Sequence, residues 1–203
     1  MIVVDEIREQ IDVMLHPSKK IRARSVAGAL RYYYLVSAVS LLLALVLTFA
    51  LGGTAVAGDV GPALAIAVVA IYWIIIPLSM LLTAGVLHLL GVSLFRKFKG
   101  TYADTLSAVA YACSAVMLFY WLAALPYAGL ALIVIAFWSV VIEIIGIAKL
   151  DKASRTAALG VIVGEWVLVV IILIAIMLAL YGMGFFGAPI TKLAGSAGAM
   201  RAA

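Results

Sequence analysis

The stretch that decides the fold class is AALGVIVGEWVLVVIILIAIMLALY, residues 157–181. Its side chains are apolar at nearly every position, and Glu165 is the one charged residue in it. About 20 apolar residues in a helix are enough to cross the hydrocarbon core of a bilayer. The stretch therefore predicts a membrane-spanning helix late in the chain.

The composition extends this prediction to the whole protein. Of 203 residues, 67% are hydrophobic and 11% are charged, whereas a soluble domain has about 45–50% apolar and about 25% charged residues. So few charges could not cover the surface of a water-soluble fold. The net charge of +5 sits in short basic clusters between apolar runs, which is typical of membrane orientation rather than of nucleic-acid binding. We therefore expect an all-α integral membrane protein.

Runs with few or no charges predict five transmembrane helices. The approximate spans are 29–51, 63–94, 103–124, 129–149 and 157–181. The run 63–94 favours one helix kinked at Pro77, because two helices would each be too short to cross. A turn containing Pro126 is expected between the third and fourth spans, and residues 182–203 form a Gly- and Ala-rich tail.

Residues 1–28 form the segment before the first span, and they begin with a short amphipathic helix. Val4, Ile7, Ile11 and Met14 recur at spacings of three and four, which places them on one helix face. We expect this helix to lie in the membrane interface. The sequence leaves two alternatives open: a mobile tail, or a helix packed on the bundle.

The basic residues predict the orientation. With five spans, all but Lys192 and Arg201 of the 14 Lys and Arg fall on one side. The positive-inside rule then places the N-terminus in the cytoplasm and the C-terminus outside. Basic side chains of this face are candidates for contact with anionic lipid headgroups or a protein partner: Lys19, Lys20, Arg22, Arg24, Arg96, Lys97 and Lys99.

Polar side chains inside the spans form the candidate site. His88, Glu143 and Glu165 are the ionisable groups there, and Tyr111 falls at a similar depth. Such groups usually face the bundle interior or a water-filled cavity. One hypothesis is a cluster that binds a cation or moves a proton. The other, which we favour, is a hydrogen-bonded network that locks the helices together.

Other signals in the spans are weaker. Gly160 and Gly164 form a small-xxx-small pair, which is typical of helix packing in membranes. No ligand-pair spacing indicates a metal site, and no catalytic or nucleotide-binding motif is present. We therefore expect no metal, no cofactor and no enzymatic activity.

The order of short motifs resembles the Yip-one domain family, whose eukaryotic members are known as interactors of Ypt/Rab GTPases. The matching pieces are LHPS at 15–18, GVLHLL at 85–90, FRKFKG at 95–100, AVAYA at 108–112, then Leu125-Pro126, Gly129, Trp138, Arg155 and Ala157. The resemblance implies five spans, a cytoplasmic N-terminus and a role in membrane organisation or trafficking. GTPase binding does not carry over, because the N-terminal region is short and the polar patch before the fifth span is reduced to DKAS, residues 151–154.

The function expected on these grounds is that of a membrane-organising or trafficking-type adaptor that acts by helix association. Its expected partners are the bilayer and anionic headgroups, with a homo-oligomer and a protein on the cytoplasmic face as further candidates. The alternative is a small ion- or proton-coupled channel or transporter that uses His88, Glu143 and Glu165.

Overall fold

The computed structural model describes residues 2–50, 62–125 and 128–182, and these are all helices and short connections. The helices are α1 (Ile2–Leu15), α2 (Pro17–Lys20), α3 (Val26–Ala50), α4 (Pro62–Leu89), α5 (Tyr102–Leu118), α6 (Gly129–Leu150) and α7 (Arg155–Gly182). A π-helical turn, Leu90–Leu94, follows α4, and a 3-10 turn, Tyr120–Ala124, follows α5. Pro126 and the tail beyond Gly182 lie outside the described residues.

Within the described residues, five helices are long and apolar enough to cross a membrane. The spans are Val26–Leu47, Trp73–Leu94, Tyr102–Leu122, Gly129–Leu150 and Arg155–Tyr181. The predicted all-α membrane fold with five spans is thereby confirmed. Pro77 lies inside α4, and the helix continues through it, as membrane helices allow when neighbouring groups satisfy the freed carbonyl.

The chain divides into two compact units, Met1–Ile162 and Val163–Ala203. The first contains α1 to α6 and the beginning of α7. Within the described residues, the second consists of the rest of α7, and most of its large apolar side chains are exposed. An apolar helix surface of this kind is stable in lipid and unstable in water.

α5 is the buried centre of the first unit, where it packs against α3, α4 and α6. In an 18-residue window of its span 61% of the residues are buried, against 17% in such a window of α6. Its buried residues are mostly small, as in the run 107–112, and small residues let neighbouring helices approach closely. At Gly146 of α6, a Cβ would lie 2.8 Å from the Cβ of Ala108, so only glycine fits this crossing.

Polar caps and connections gather at one end of this unit. A capping box starts α5, in which Thr101 and Asp104 satisfy each other's backbone N–H groups. Lys149 donates to the Ile21 carbonyl at 2.6 Å, and the Lys99 N–H donates to the Asp151 carbonyl at 2.9 Å. We call residues 2–25, 95–104 and 149–156 the charged end.

Candidate functional site

Arg24 is the centre of an ion-pair network at the charged end. Its Nη2 lies 2.9 Å from Glu6 Oε2 and 2.8 Å from Glu9 Oε1, and its Nε donates to the Tyr111 hydroxyl at 3.1 Å. The guanidinium carbon lies 4.2 Å from the centre of the Tyr32 ring, a cation–π distance. The side chains of Arg24, Glu6 and Glu9 are 13%, 17% and 18% exposed. We name these five residues the Arg24 clamp.

The local sequence explains why the clamp forms. Glu6 and Glu9 are three residues apart in α1 and therefore share a helix face. α1 ends at Leu15, and Pro17 begins the short α2, after which the chain turns back towards α3. Arg24 stands just before α3. The clamp thus ties the N-terminal helix to the beginning of α3 and to α5.

Gln10 completes the contact between α1 and the bundle. Its side chain is fully buried, its Nε2 donates to the Tyr111 carbonyl at 3.2 Å, and its Oε1 accepts from the Tyr32 hydroxyl. Every polar atom of this buried amide side chain thus has a partner, and leaving one unsatisfied costs about 1–3 kcal/mol. The face that α1 turns to the bundle therefore combines polar side chains with apolar ones, since Val13 is also fully buried and Met14 packs beside it.

The segment between α2 and α3 is held from both sides. The Arg24 N–H donates to Ser107 Oγ of α5 at 2.9 Å. From α6, Lys149 Nζ donates to the carbonyls of Lys19 at 3.2 Å and Ile21 at 2.6 Å. These bonds fix backbone that would otherwise be a free linker.

Electrostatics keep both partners of the clamp charged. Burial opposes ionisation of Glu9, but the hydrogen bonds from Tyr111 and Arg24 outweigh it and lower the pKa of this carboxyl. Burial likewise opposes the charge of Arg24, and its bonds to Tyr111 and the two carboxylates raise the pKa of the guanidinium. The ion pair between Arg24 and Glu9 is therefore formed at neutral pH.

An open polar groove of about 670 Å³ lies beside the clamp. Its walls combine one side of α1, the segment after α2 and the end of α6, and they carry charges of both signs. Surface ion pairs join Lys20 to Asp12 at 2.9 Å and Arg22 to Glu9. The groove is lined by Asp5, Arg8, Glu9, Asp12, Lys19, Lys20, Ile21, Arg22, Ala23, Lys149 and Leu150.

Part of the apolar surface of α1 is turned away from the bundle. Val4, Ile11 and Leu15 are exposed, while Gln10 and Val13 are buried. The sequence pattern had grouped Val4 and Ile11 with Ile7 and Met14, which are half-buried. Helix α1 therefore packs on the bundle and still presents an apolar surface, the arrangement expected at a membrane interface.

A second polar network joins α4, α5 and the turn after α6. His88 Nδ1 lies 3.0 Å from Thr105 Oγ1, and Thr105 Oγ1 lies 3.0 Å and 3.1 Å from the two carboxylate oxygens of Asp151. Thr105 and Asp151 are fully buried, whereas His88 is half-buried. We call these three residues the His88–Asp151 chain.

The surroundings of Asp151 hold its carboxyl close to neutral. Burial raises its pKa to about 7, against the lowering effect of the bond from Thr105, and Asp104 raises it further by charge repulsion. Gly100 leaves the space for it, since a Cβ there would lie 2.6 Å from Asp151 Oδ1 and 2.9 Å from its Cα. Asp151 was seen in the sequence only as part of a reduced polar patch.

The predicted intramembrane residues are distributed over different parts of the structure. His88 belongs to the His88–Asp151 chain and Tyr111 to the Arg24 clamp. Glu143 is half-buried in α6, and Glu165 is buried in the second unit. Among the described residues, no three His, Cys, Asp or Glu side chains gather as metal ligands would. A single cluster of these four residues stays a prediction.

The other predicted contacts are also placed. Lys19, Lys20 and Arg22 line the groove, and Arg96, Lys97 and Lys99 are exposed. Gly160 is exposed with no atom near its missing Cβ, and Gly164 is half-buried. Headgroup contact and helix packing at these residues stay predictions.

Sequence reasoning missed the acids of α1, Glu6 and Glu9, as partners of Arg24. It also missed the amide of Gln10 as a partner of Tyr32 and Tyr111. The available signal was charge complementarity, because Glu6 and Glu9 precede a basic cluster across a proline turn. It also missed Thr105 and Asp151, which are 46 residues apart in the sequence. Nothing in a single sequence marks such a distant pair.

The comparison with protein families identifies the fold's relatives. A family model described as the Yip1 domain matches residues 11–177. The chain belongs to the Yip1 domain family. The resemblance drawn from the short motifs is thereby confirmed. No curated protein and no solved structure matches the chain.

The matched region covers most of the membrane-spanning part of this Yip1 domain protein. It contains the first four spans, the fifth as far as residue 177, Arg24, Tyr111 and the whole His88–Asp151 chain. Glu6, Glu9 and Gln10 lie before its first residue. The Arg24 clamp therefore joins the matched region to the part of α1 that lies before it.

Proposed function

We propose that this Yip1 domain protein is a non-enzymatic membrane adaptor, whose charged end is a preformed docking face for a partner. The observation that carries the proposal is the Arg24 clamp. It fixes α1 to the bundle through bonds from Arg24 to two carboxylates and a tyrosine hydroxyl. A surface that is ordered before binding loses little conformational entropy when a partner docks.

The groove is the part of this face that is best suited to a partner protein. Its walls carry both bases and acids, which suits a polar segment that bears charges of both signs. Arg8 and Lys19 lie in these walls, and neither forms an ion pair among the described residues. Complementary charges there would steer the encounter and set its specificity.

The proposed orientation places this face in the cytoplasm. It rests on the positive-inside rule, since the basic residues collect at the charged end and only Lys192 and Arg201 would lie on the other side. Anionic lipid headgroups would then meet the rim of the same face, and α1 would rest its exposed apolar side chains in the interface.

Lateral association is the second part of the proposed adaptor role. The described part of the second unit exposes apolar side chains around the helix, such as Trp166, Val170 and Leu178. Gly160 offers a place where another helix could approach closely, because nothing lies within 4 Å of its missing Cβ. A second copy of the chain is the partner proposed for this surface.

Photo-crosslinking in native membranes tests the docking face. A photoreactive residue replaces Lys19 in the groove, and the matched control replaces Ser79, an exposed position in the middle of α4. We expect a discrete protein adduct from position 19 that is absent from position 79 and reduced by Arg24→Lys, which keeps the charge but not the planar fork. Lipid adducts alone at position 19, or the same adducts at both positions, would contradict the proposal.

A second candidate function is a small ion- or proton-coupled channel or transporter. The observation that favours it is the His88–Asp151 chain, which links an imidazole to a carboxyl near the end of the spans. Purified protein in liposomes tests it through ion or proton flux. Unchanged flux in the Glu143→Gln and Glu165→Gln variants would rule out the predicted cluster as its pathway.

A further inference from the structure

We propose that His88, Thr105 and Asp151 form a proton relay, in which His88 takes up the proton and the buried Asp151 carboxylate stores it. The proton is the ligand of this site. The proposal concerns residues outside the Arg24 clamp and does not depend on the adaptor role.

The geometry requires the threonine hydroxyl to connect the two titratable groups. Thr105 Oγ1 is within 3.0 Å of His88 Nδ1 and within 3.0 Å and 3.1 Å of the two Asp151 oxygens. Thr105 and Asp151 are both fully buried. His88 is the one member of these three residues with partial exposure, and it is therefore the residue at which the proposed relay takes up its proton.

Each protonation state of the His88–Asp151 chain has one consistent set of hydrogen-bond donors. With Asp151 ionised, Thr105 donates to the carboxylate, and its oxygen accepts from His88 Nδ1–H. With Asp151 protonated, the acid O–H donates to Thr105, whose hydroxyl donates to an unprotonated Nδ1. Both hydrogen bonds survive the change, and only their direction reverses.

Uptake of one proton converts the His88–Asp151 chain from the state with Asp151 ionised to the state with Asp151 protonated. The incoming proton binds His88 Nε2, the Nδ1 proton moves to Thr105 Oγ1, and the hydroxyl proton of Thr105 moves to Asp151. The imidazole ends neutral with its proton on Nε2, Thr105 is again a neutral hydroxyl, and the carboxyl is neutral. One proton has been bound, and no other reactant is needed.

The charges around the chain favour uptake near neutral pH. Facing Asp151 from α5 are Asp104, which repels its negative charge, and Thr105. The rings of His88 and Tyr102 are nearly perpendicular, with 6.2 Å between their centres. The connection after α4 contacts Asp151 through the backbone of Lys99 and Gly100. The side chains of the nearby basic residues Lys99, Lys152 and Arg155 are exposed. Burial raises the pKa of Asp151 to about 7, so the carboxyl binds its proton as the pH falls through about 7.

The stored proton acts on the charged end through the backbone. The Asp151 carbonyl accepts from the Lys99 N–H at 2.9 Å, and the carboxylate packs against Gly100. A negative charge appearing at Asp151 therefore adds an uncompensated buried charge directly beneath the connection between α4 and α5. This connection is the segment expected to respond to pH.

Nitrogen NMR of the histidine ring tests the relay. The full chain carries His16→Gln, which leaves His88 as the one histidine of the two in the sequence, and is labelled with ¹⁵N-histidine in lipid nanodiscs. We expect neutral His88 to change from the Nδ1–H to the Nε2–H tautomer as the pH falls through about 7. In Asp151→Asn this change should be absent.

A pair of Thr105 variants separates a relay from a chance contact. Thr105→Ser keeps the hydroxyl and should keep the tautomer change, whereas Thr105→Val has nearly the same shape without the hydroxyl and should lose it. A pH profile shared by the wild-type chain and Asp151→Asn would overturn the proposal. Retention of the change in Thr105→Val would overturn the relay through Thr105, and this pair remains informative if Asp151→Asn does not fold.

Discussion

At the scale of single residues, the contact between Gly100 and Asp151 shapes the charged end. A Cβ on Gly100 would lie 2.6 Å from Asp151 Oδ1 and 2.9 Å from both Asp151 Cα and the Leu150 carbonyl. Two of these three atoms belong to the backbone and cannot rotate away. The close approach of the two connections is therefore possible only with glycine at position 100.

Gly100→Ala should destabilise the protein by about 1–3 kcal/mol, the usual cost of overpacking. The matched control is Gly129→Ala, because no atom lies within 4 Å of the missing Cβ of Gly129. That variant should be neutral or slightly stabilising, since alanine favours a helix. Thermal unfolding in detergent micelles measures both, and equal melting temperatures would contradict the packing described here.

Asp151 also makes stability depend on pH. Its pKa rises from 3.8 to about 7 on folding, so between these values the folded chain binds a proton that the unfolded chain has released. Stability should therefore fall as the pH rises through this window, by about 4 kcal/mol in total. The measurement is the melting temperature of the wild-type chain minus that of Asp151→Asn at each pH. A difference that stays constant across the window would contradict the buried carboxyl.

At the scale of elements, the sequence predicted helix α1 but not its orientation. The pattern of apolar residues correctly indicates an amphipathic helix, but it contains no information about the surface to which the helix binds. The bundle presents Arg24 and the hydroxyls of Tyr32 and Tyr111, so the docked face carries Glu9 and Gln10 beside the buried Val13. Complementary charge between distant segments decides this, and periodicity along one helix cannot show it.

Arg24→Ala should detach α1 from the bundle. Removing the cation leaves Glu6 and Glu9 without their buried partner, at a cost of about 3 kcal/mol. Arg22→Ala is the control, because Arg22 also pairs with Glu9 but its side chain is 66% exposed, and such pairs contribute about 0–1 kcal/mol. Limited proteolysis of the N-terminal segment should be fast in the first variant and slow in the second. Equal protection in both would show that the clamp does not hold α1.

Helix α7 carries the prediction on lateral association. Gly160→Leu should leave the protomer folded, because nothing lies within 4 Å of the missing Cβ, and should weaken self-association by blocking close helix approach. Crosslinking of wild-type and variant protein in liposomes at equal density measures the dimer fraction. Wild-type protein that is monomeric at every density would argue against the proposed homo-oligomer.

At the scale of the whole molecule, the five-span architecture could be predicted because one contribution dominates it, the transfer of apolar helices from water to lipid. Long apolar helices gain so much from lipid, and lose so much in water, that hydropathy alone identifies them. The sequence contains only a weak signal for the central position of α5. This signal is the mean hydropathy of its span, 1.6, which is the lowest of the five. A helix surrounded by protein can be less apolar than one surrounded by lipid, and small residues such as Ala108 then let its neighbours approach.

The polar networks could not be predicted at this scale, since they depend on which helix ends meet. Depth along each span suggested one layer for His88 and Tyr111, but depth does not fix the side of a helix. In the structure, His88 forms a hydrogen bond with Thr105, whereas Tyr111 forms hydrogen bonds with Arg24 and Glu9. Both networks use partners from connections or from the N-terminal helix, which hydropathy treats only as boundaries.

Hydrogen exchange of α1 in lipid nanodiscs is the most direct test of the central claim, that the charged end is ordered before any partner binds. The purified wild-type chain should show slow exchange of backbone amides around Gln10 and Val13, and Arg24→Ala should abolish this protection. Amides of α5 serve as the internal reference and should remain protected in both. Free exchange of α1 in the wild-type chain, at the rate of an unstructured segment, would contradict a preformed docking face.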